Sequence, residues 1–318
     1  MECVPVIIPT LNRCEHLKRC IDSLRNNTYA KDTALYISLD YPPSAKYEAG
    51  YRDVKEYLDN GIDGFAEVVI YQQEKNLGPY ANIEFLTEKV YEKYDSYILT
   101  EDDNEFSPCF LEFMSRGIEK YRDDKDVFAI CCSSTALRGY DNKSELVKIL
   151  YFSAHGYATW KDKDNLFKET VNRSYIEDVA SSKSKLKKMR KTDYRTVMYL
   201  ASTLLRKEPI YQTKDGSILF IDTSRRIYSC AEEKYIVASA FPMVRNWGFD
   251  GSGENCVVEN DYMSTRPIRE DKLFDITDME PCLCRVNPHW SIKNYILLTS
   301  ARVRIWLWRI ISKHKLHE

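Results

Sequence analysis

Glycine and proline are scarce in this chain, with eleven of each among 318 residues. Because collagen-like and low-complexity sequences are rich in one or both, the scarcity excludes those classes. Hydrophobic residues make up 44% of the chain and charged residues 30%, as in globular proteins. At roughly 150 residues per domain, the length allows about two domains or one large α/β domain with additions.

The chain also lacks an excess of basic residues. Its 46 lysines and arginines face 48 aspartates and glutamates, which gives a formal net charge of −2. Since duplex DNA binding generally requires a basic surface, we expect no nucleic-acid partner. The charge is uneven, however, because residues 285–318 carry seven basic residues and one acid. This tail is therefore interpreted separately.

The ten cysteines lack the paired spacing of a zinc site or of a small disulfide framework. We therefore expect buried thiols in a reducing compartment. At the N-terminus an acid stands where a signal peptide would be basic, and the short apolar run ends at Pro9. These features predict a cytoplasmic protein.

Residues 1–135 alternate between short strand-like runs and longer amphipathic stretches, as βαβ units do around a mostly parallel sheet. The predicted strands are Val4–Ile8, Leu35–Asp40, Glu67–Tyr71, Ser96–Thr100 and Val127–Cys132. The predicted helices are Glu15–Arg25, Tyr47–Leu58, Tyr80–Tyr94 and Cys109–Tyr121. Ligands of open α/β sheets bind beyond the carboxyl ends of the strands, so the segments that follow the strands form the candidate site.

Residues 136–245 are less regular. A helix is predicted over Thr192–Leu205, and short strands or helix ends over Ser217–Ile221 and Tyr235–Ala238. The basic run Lys183–Arg195 is interpreted as a solvated helix face or loop. The chain shows no internal repeat and no low-complexity linker, so a second autonomous domain is not required.

Three consecutive carboxylates, Glu101, Asp102 and Asp103, follow the fourth predicted strand. Adjacent acids repel one another and are best tolerated where a cation neutralises them. Mg²⁺ and Mn²⁺ at nucleotide sites are held by one or two carboxylates together with phosphate oxygens. The triplet therefore indicates a divalent metal site, with the alternative that the acids only cap the following helix.

The other strand ends carry weaker signals. Pro9–Arg13 leads from the first strand into a helix N-terminus with an arginine, which suits a phosphate or the edge of a base. Asp40 offers an acceptor for a base or ribose, or it forms a turn. Lys75–Gly78 permits left-handed geometry, which a plain turn also explains.

Together these segments resemble the nucleotide-sugar half of a GT-A glycosyltransferase. Val4–Leu24, Ile37–Asp40 and Ile98–Phe113 are similar to the N-acetylglucosaminyltransferase I family and to bacterial surface-polysaccharide glycosyltransferases. The resemblance covers the range 1–135 well and the rest of the chain more loosely.

The resemblance implies an α/β fold of the GT-A type. Residues 1–135 would form a Rossmann-like nucleotide-sugar half with a mostly parallel sheet. This half would be continuous with an acceptor-binding and catalytic-base half over residues 136–284. Residues 285–318 would form a basic amphipathic tail.

The same resemblance implies a metal-dependent, inverting hexosyl- or N-acetylhexosaminyltransferase. It would move a sugar, GlcNAc or a related one, from a UDP-sugar to a glycan or lipid-linked acceptor in bacterial surface-polysaccharide synthesis. By this likeness the acidic triplet is the counterpart of the Asp-x-Asp motif. Asp103 would bind Mn²⁺ or Mg²⁺, Asp102 would lie near the ribose and Glu101 near the sugar.

The remaining donor contacts are also implied by the resemblance. Asp40 would face the uracil, Arg13 the base or diphosphate, and Asn76 with Gly78 would shape the nucleoside pocket. The full set of implied donor-binding residues is Pro9, Thr10, Arg13, Asp40, Asn76, Gly78, Glu101, Asp102 and Asp103.

Two downstream segments resemble the bacterial relatives. Phe152–Trp160 is similar to their Gly-rich aromatic segment at the sugar and acceptor cleft, and Val244–Cys256 to their Asn-x-Gly-Phe-x-Gly-Ser-Gly loop. We expect the loop to be a mobile lid over the donor diphosphate, with a plain surface turn as the alternative. His155 is a general base by residue type, but a binding role is preferred. The implied acceptor and lid residues are His155, Gly156, Trp160, Arg245, Asn246, Gly251, Ser252 and Gly253.

An inverting transfer needs a carboxylate that removes the proton of the acceptor hydroxyl. In the relatives an aspartate precedes the Asn-x-Gly-Phe loop, and the matching residue here is Asp222. Asp215 is the second candidate, although Asp215 followed by Gly216 is typical of a turn.

Residues 294–315 combine apolar and aromatic residues with cations. Arg302, Arg304 and Arg309 make this stretch too charged for a membrane-spanning helix. Trp306 and Trp308 with flanking cations suit a helix in the interface of an anionic leaflet, which would place the protein peripherally at the cytoplasmic membrane face. The alternative is a helix packed on the core or a dimer contact.

Two other functions compete with the transferase interpretation. A sugar-phosphate nucleotidyltransferase would share an α/β nucleotide site, but Pro9–Arg13 lacks the glycines of its first loop. A non-catalytic module that binds nucleotide-sugars or glycans would bind UDP with the help of a metal, without turnover.

Overall fold

The computed structural model describes residues 3–133, 137–205, 221–252, 261–286 and 292–315. The strands in these ranges are β1 (Val6–Thr10), β2 (Ala34–Leu39), β3 (Glu67–Gln72), β4 (Ser96–Leu99), β5 (Asn104–Phe106), β6 (Val127–Cys131), β7 (Leu137–Arg138), β8 (Leu146–Ile149), β9 (Tyr157–Trp160), β10 (Tyr235–Ser239), β11 (Val244–Asn246), β12 (Cys282–Leu283) and β13 (Arg285–Val286). The helices are α1 (Cys14–Arg25), α2 (Glu48–Asp59), α3 (Pro79–Tyr91), α4 (Phe110–Lys120), α5 (Lys161–Thr170), α6 (Arg173–Ser181), α7 (Lys183–Thr192), α8 (Tyr194–Leu205), α9 (Ile221–Glu232), α10 (Asp261–Thr265) and α11 (Ile292–Lys315).

Nine of the described strands form one sheet in the order β12-β8-β10-β6-β9-β4-β1-β2-β3. The pairs β1–β2, β2–β3, β1–β4, β6–β10 and β8–β12 are parallel. Strand β9 runs antiparallel between β4 and β6, and β8 runs antiparallel to β10. The predicted fold class is confirmed: the fold is α/β, and the parallel strands β1 to β4 continue through β9 into the remaining strands of one sheet.

The alternation of side chains along the strands builds a core on each face of the sheet. In β1, Val6 and Ile8 belong to one buried cluster and Ile7 to the other. Helix α1 covers the first face because Leu17, Ile21 and Leu24 recur at helical spacing and are fully buried. Each such side chain contributes about 1.5–3 kcal/mol on burial.

All five strands and four helices predicted within the range 1–135 are present, with small displacements at their ends. Helix α8 and strand β10 also confirm the predictions over Thr192–Leu205 and Tyr235–Ala238. The basic run after Lys183 forms helix α7. Of the segment Ser217–Ile221 only Ile221 is described, and it begins α9.

The nine described cysteines are free thiols, and seven of them are buried. This agrees with the prediction of buried thiols. Among the described helices none combines the length and the apolar character that crossing a bilayer requires.

Candidate functional site

The acidic triplet lies where the sequence predicts it, at the carboxyl end of β4. Because β4 pairs in parallel with β1, the segments after both strands meet at the same edge of the sheet. The Thr10 hydroxyl at the end of β1 donates to Asp102 Oδ2 at 2.8 Å. Both Asp102 and Asp103 are buried.

Arg13 is the cation that these two carboxylates contact. Its Nη1 donates to Asp103 Oδ2 at 2.8 Å, and its Nη2 forms an ion pair with Asp102 Oδ1. Burial alone would lower the pKa of Arg13, but Asp102 and Asp103 raise it above its ordinary value. Arg13 is thus permanently charged and bridges the two acids. The resemblance implies a contact of Arg13 with the base or diphosphate, and the structure places it on the triplet.

The backbone carbonyl of Glu101 accepts from the Thr100 hydroxyl at 2.9 Å, whereas Arg13 pairs with the carboxylates of Asp102 and Asp103. Desolvation and repulsion from Asp103 raise the pKa of Glu101 to about 8, although Arg13 opposes the shift. Three carboxylates therefore crowd around one guanidinium.

This arrangement fits a metal that is shared with a substrate rather than held in a complete protein cage. Carboxylate oxygens are the ligands that Mg²⁺ and Mn²⁺ prefer, and the crowded acids would be relieved by a further cation. Among the described residues no group of three or more His, Cys, Asp or Glu side chains is arranged to hold a metal. Phosphate oxygens of a bound nucleotide would have to complete the coordination.

A segment far away in the sequence closes on the triplet. The Asn246 amide donates to Asp103 Oδ1 at 2.7 Å and to Asn104 Oδ1 at 2.9 Å. The backbone N–H of Trp247 donates to the Asp103 carbonyl at 2.8 Å. These contacts exist because β11 pairs antiparallel with β5, the strand that directly follows the triplet. The start of the predicted lid is thus fixed to the acids.

The side chains on either side of Asn246 extend this attachment. The centre of the Trp247 ring lies 4.0 Å from the Arg19 guanidinium on α1, and its Nε1 donates to Glu105 Oε2 at 2.7 Å. Arg245 donates to the Arg266 carbonyl at 3.0 Å and to Glu105 at 3.3 Å. Arg245 therefore supports the β5–β11 ribbon.

The end of the described loop is exposed. Gly251 has a φ of +85° and nothing would contact a Cβ there, so its conformation favours glycine for backbone reasons alone. Ser252 lines a cavity of about 630 Å³ together with Arg13. Asp250 Oδ2 lies 3.1 Å from His16 Nε2 on α1. Gly253 lies outside the described residues.

Gly248 is packed so closely against Asp103 that the site has no room for a side chain at this position. A Cβ at this position would lie 2.1 Å from Asp103 Oδ2 and 3.2 Å from Arg13 Nη1. We expect Gly248→Ala to displace the Asp103 carboxylate or the loop, to destabilise the fold by about 1–3 kcal/mol and to weaken donor binding. Thermal unfolding and a nucleotide-sugar titration would measure both effects.

Gly139→Ala is the matched control for Gly248→Ala. Gly139 has a φ of +78°, and nothing lies within 4 Å of its Cβ position. Alanine there should cost about 1 kcal/mol of backbone strain without an effect on donor binding. Equal donor affinity in the two variants would show that Gly248 is irrelevant to the site.

Asp40, Asn76 and Gly78 come together as a unit. Asp40 is buried and accepts from the backbone N–H groups of Leu77 at 2.8 Å and Gly78 at 2.9 Å, and from Asn76 Nδ2 at 3.2 Å. Burial raises the pKa of Asp40, while the backbone donors oppose the shift. Gly78, with a φ of +78°, is the cap from which α3 begins. Asp40 thus organises this turn at the sheet edge, next to β1.

His155 lies within electrostatic range of Asp103, and Gly156 lies against Phe106 of β5, whereas Trp160 lies away from the triplet. Burial lowers the pKa of His155, although the Asp103 and Asp222 carboxylates oppose the shift, so the ring is neutral near pH 7. Its Nδ1 has no partner among the described residues. Gly156 has a φ of +83°, and a Cβ there would lie 2.9 Å from the Phe106 ring.

The indole of Trp160 belongs to the core instead of the cleft. Only 1% of the residue is exposed, and its Nε1 donates to the Ile118 carbonyl at 3.0 Å. The physical reason is that Trp160 ends β9, a strand buried between β4 and β6.

Asp222 lies in the first turn of α9 and is exposed. Its charge contributes to the pKa shifts of both Glu101 and His155, which places the carboxylate within electrostatic range of the triplet. Asp215 lies outside the described residues. Pro9 is a half-buried member of β1, where it pairs with Ser38 of β2.

Sequence reasoning missed three contributors to the site: Asn104, Trp247 and Gly248. Asn104 adjoins the acidic triplet and Trp247 lies inside the glycine-rich motif. Their proximity to these motifs is the one sequence signal that indicates a role in the site. Their contacts depend on the β5–β11 pairing, which joins segments far apart in the sequence and has no local pattern.

Comparison with known proteins gives weak likenesses only. No protein-family model matches the chain, and no curated protein matches its sequence. The chain is similar to the solved structure of S. aureus TarS, with 12% identity and a TM-score of 0.37 over 64% of this chain and 40% of that chain. It is also similar to residues 1–349 of S. aureus TarS, with 12% identity and a TM-score of 0.35 over 80% and 73%.

A third likeness is to the mannosyltransferase PcManGT from Pyrobaculum calidifontis in complex with GDP-Man and Mn²⁺. Identity is 15% and the TM-score 0.36, over 75% of this chain and 57% of that chain. The chain thus spans less than two thirds of the full TarS chain and of the mannosyltransferase chain. Likenesses at this level identify neither the activity nor the ligand of this chain.

Proposed function

We propose that this chain is a metal-dependent, inverting glycosyltransferase that uses a UDP-sugar. The observation that carries the proposal is the acidic triplet at the carboxyl end of β4, where one guanidinium, that of Arg13, contacts two of three crowded carboxylates. That edge of an α/β sheet is where nucleotide ligands bind. The motifs of residues 1–135 resemble those of GT-A glycosyltransferases, and this resemblance is the reason for proposing a nucleotide-sugar as the donor.

Asp103 would hold Mn²⁺ or Mg²⁺ together with donor phosphate oxygens. Once bound, the metal supplies charge stabilisation for the departing diphosphate. Asn246 orients the Asp103 carboxylate through its 2.7 Å hydrogen bond, and the Arg13 guanidinium pairs with both Asp102 and Asp103. Asp102 would lie near the ribose and Glu101 near the sugar. The Asp40 turn, with Asn76 and Gly78, would form the nucleoside side of the pocket.

Asp222 is the proposed general base, with Asp215 as the second candidate. In the transfer, the acceptor oxygen attacks C1 of the sugar while the bond from C1 to the diphosphate oxygen breaks. The hydroxyl proton passes to the Asp222 carboxylate. Attack from the face opposite the diphosphate inverts the anomeric centre. His155, neutral near pH 7, would bind the sugar or the acceptor by hydrogen bonding.

The acceptor that we propose is a glycan or a lipid-linked oligosaccharide of bacterial surface-polysaccharide synthesis, and the transferred sugar GlcNAc or a related one. This choice comes from the resemblance of Phe152–Trp160 and Val244–Cys256 to the bacterial relatives. Gly251 and Ser252 are exposed, and Ser252 lines the cavity beside Arg13, which supports a lid over the diphosphate.

The test is nucleotide release from a panel of UDP- and GDP-sugars, with and without Mn²⁺. We expect release from a UDP-sugar that Mn²⁺ stimulates and a chelator abolishes. Calorimetric binding of UDP without any release would favour the non-catalytic binding module. Formation of a nucleotide-sugar from a sugar phosphate and a nucleoside triphosphate would favour the nucleotidyltransferase.

For Asp222→Asn we expect transfer to fall by about 10²–10⁴-fold, while donor binding is retained, because only proton removal is lost. Stopped assays with acceptor and a donor titration would separate the two effects. Asp178→Asn, a substitution on α6 away from the site, is the control. Near-normal transfer by Asp222→Asn would exclude Asp222 as the base and make Asp215→Asn the next variant.

A further inference from the structure

Helix α11 has apolar residues on two opposite faces. Leu298, Ala301 and Ile305 are buried and hold the helix against the core. On the other side, an exposed apolar face consists of Ile296, Val303, Trp306, Leu307 and Ile310. These residues follow one another at helical spacing, so they form one continuous strip. Between 38% and 60% of each of these five residues is exposed.

Basic side chains border this exposed strip. A groove of about 600 Å³ runs between α7, α8 and α11, and its lining includes Lys183, Lys187, Arg190, Arg302 and Arg309. No acidic residue lines the groove in the described part of the chain. Neither α7 nor α11 contains an aspartate or glutamate.

The basic residues of the groove differ from their neighbours on α7. Lys185 and Lys188 form ion pairs with Glu232 and Glu233. Lys187 and Arg190 are exposed and have no ion-pair partner in the described ranges. The surface therefore carries unneutralised positive charge directly beside exposed aromatic and aliphatic side chains.

We infer that this surface, formed by the exposed strip of α11 and the basic groove against α7, docks onto an anionic phospholipid bilayer. Phospholipid phosphates would meet Lys187, Arg190 and Arg302, while Trp306 and Leu307 would enter the boundary between headgroups and acyl chains. A bilayer satisfies both parts of the surface. Its anionic headgroups would pair with the basic groove, and its acyl chains would bury the apolar strip.

A second copy of this chain fits the surface less well. Two such faces brought together would place unpaired cations against cations, with no acid on α7 or α11 to compensate. A soluble polyanion would neutralise the groove but leave the apolar strip in water. The inference does not depend on the proposed transferase activity.

The experiment is co-sedimentation of the full chain with phosphatidylcholine vesicles, with and without phosphatidylglycerol. We expect binding to the anionic vesicles that weakens as salt rises, and little binding to the neutral ones. Trp306→Ser combined with Leu307→Ser, and separately Lys187→Glu with Arg190→Glu, should each weaken binding by about tenfold or more. Nucleotide release from donor in solution should be unchanged in both variants.

Matched controls carry the same chemical changes elsewhere. Leu166→Ser removes an exposed leucine on α5, and Lys31→Glu with Lys272→Glu reverses two exposed charges far from α11. These controls should bind vesicles like the wild type. Equal binding to neutral and anionic vesicles, unchanged binding of the surface variants, or a solution dimer that Trp306→Ser dissociates would overturn the inference.

Discussion

Replacing Asp103 with asparagine is expected to lower metal-stimulated transfer by at least about 100-fold, because a bound divalent ion contributes several kcal/mol to stabilising a departing diphosphate. Asparagine keeps the shape of the side chain and an oxygen that can accept from Asn246. It removes the charge that Arg13 contacts at 2.8 Å. Steady-state nucleotide release over a Mn²⁺ titration would measure the loss as lower maximal rate and weaker metal dependence.

Asp63→Asn is the matched control for Asp103→Asn, since the Asp63 side chain is 94% exposed and lies on the surface. Its activity and metal dependence should equal those of the wild type. If the wild type transfers sugar equally well in a chelator and Asp103→Asn retains this activity, then Asp103 holds no catalytic metal. Arg13 would then be the only cation that the triplet requires.

Replacing Asp164 with alanine is expected to destabilise the protein by about 3–5 kcal/mol, the usual cost of leaving a buried charge without its partner. Asp164 is fully buried and pairs with Arg225, of which 2% is exposed. Lys168 Nζ lies 3.0 Å from its Oδ2 and the Tyr91 hydroxyl donates at 3.2 Å. The Arg225 guanidinium also lies 4.5 Å from the ring centre of Phe167. Denaturant unfolding would measure the change.

The effect of Asp164 on stability should depend on pH. Burial favours the neutral acid, but attraction to Arg225 and Lys168 outweighs it and lowers the pKa of Asp164. A carboxyl with a lowered pKa in the folded state stabilises the fold fully above its unfolded pKa, about 3.9, and loses this effect as the pH falls further. The difference in unfolding free energy between the wild type and Asp164→Asn should therefore shrink below about pH 4.

A double replacement separates the charge from the packing. Asp164→Leu together with Arg225→Met removes both charges and keeps apolar volume, so it should cost less than Asp164→Ala alone. A double variant that is less stable than Asp164→Ala would contradict this account. Such a result would mean that the pair is net stabilising beyond the cost of its desolvation.

Local patterns predicted most of the fold over residues 1–135. The strands and helices follow from apolar spacing, and the placement of the acidic triplet follows from its position after an apolar strand. The meeting of Asp40 with Asn76 and Gly78 follows from the parallel order of β1, β2 and β3, which brings their ends to one edge. These features depend on sequence within consecutive βαβ units.

The remaining features depend on contacts between distant segments. Arg13 pairs with both Asp102 and Asp103. The spacing of residues in the sequence does not predict which side chains form such ion pairs. Trp160 was expected at the cleft, yet the insertion of β9 between β4 and β6 buries it. Aromatic residues suit a binding cleft and a core equally well, so residue type alone does not distinguish the two.

The position of β9 also has a consequence for synthesis on the ribosome. Strands β4 and β6 are made early but are not neighbours, since β9 fills the space between them and β10 covers the far side of β6. Until β9 and then β10 emerge, the nascent chain presents open backbone edges that can pair with other chains. Because such non-local closure is slow, we expect the partly translated chain to be more prone to aggregation than the complete one.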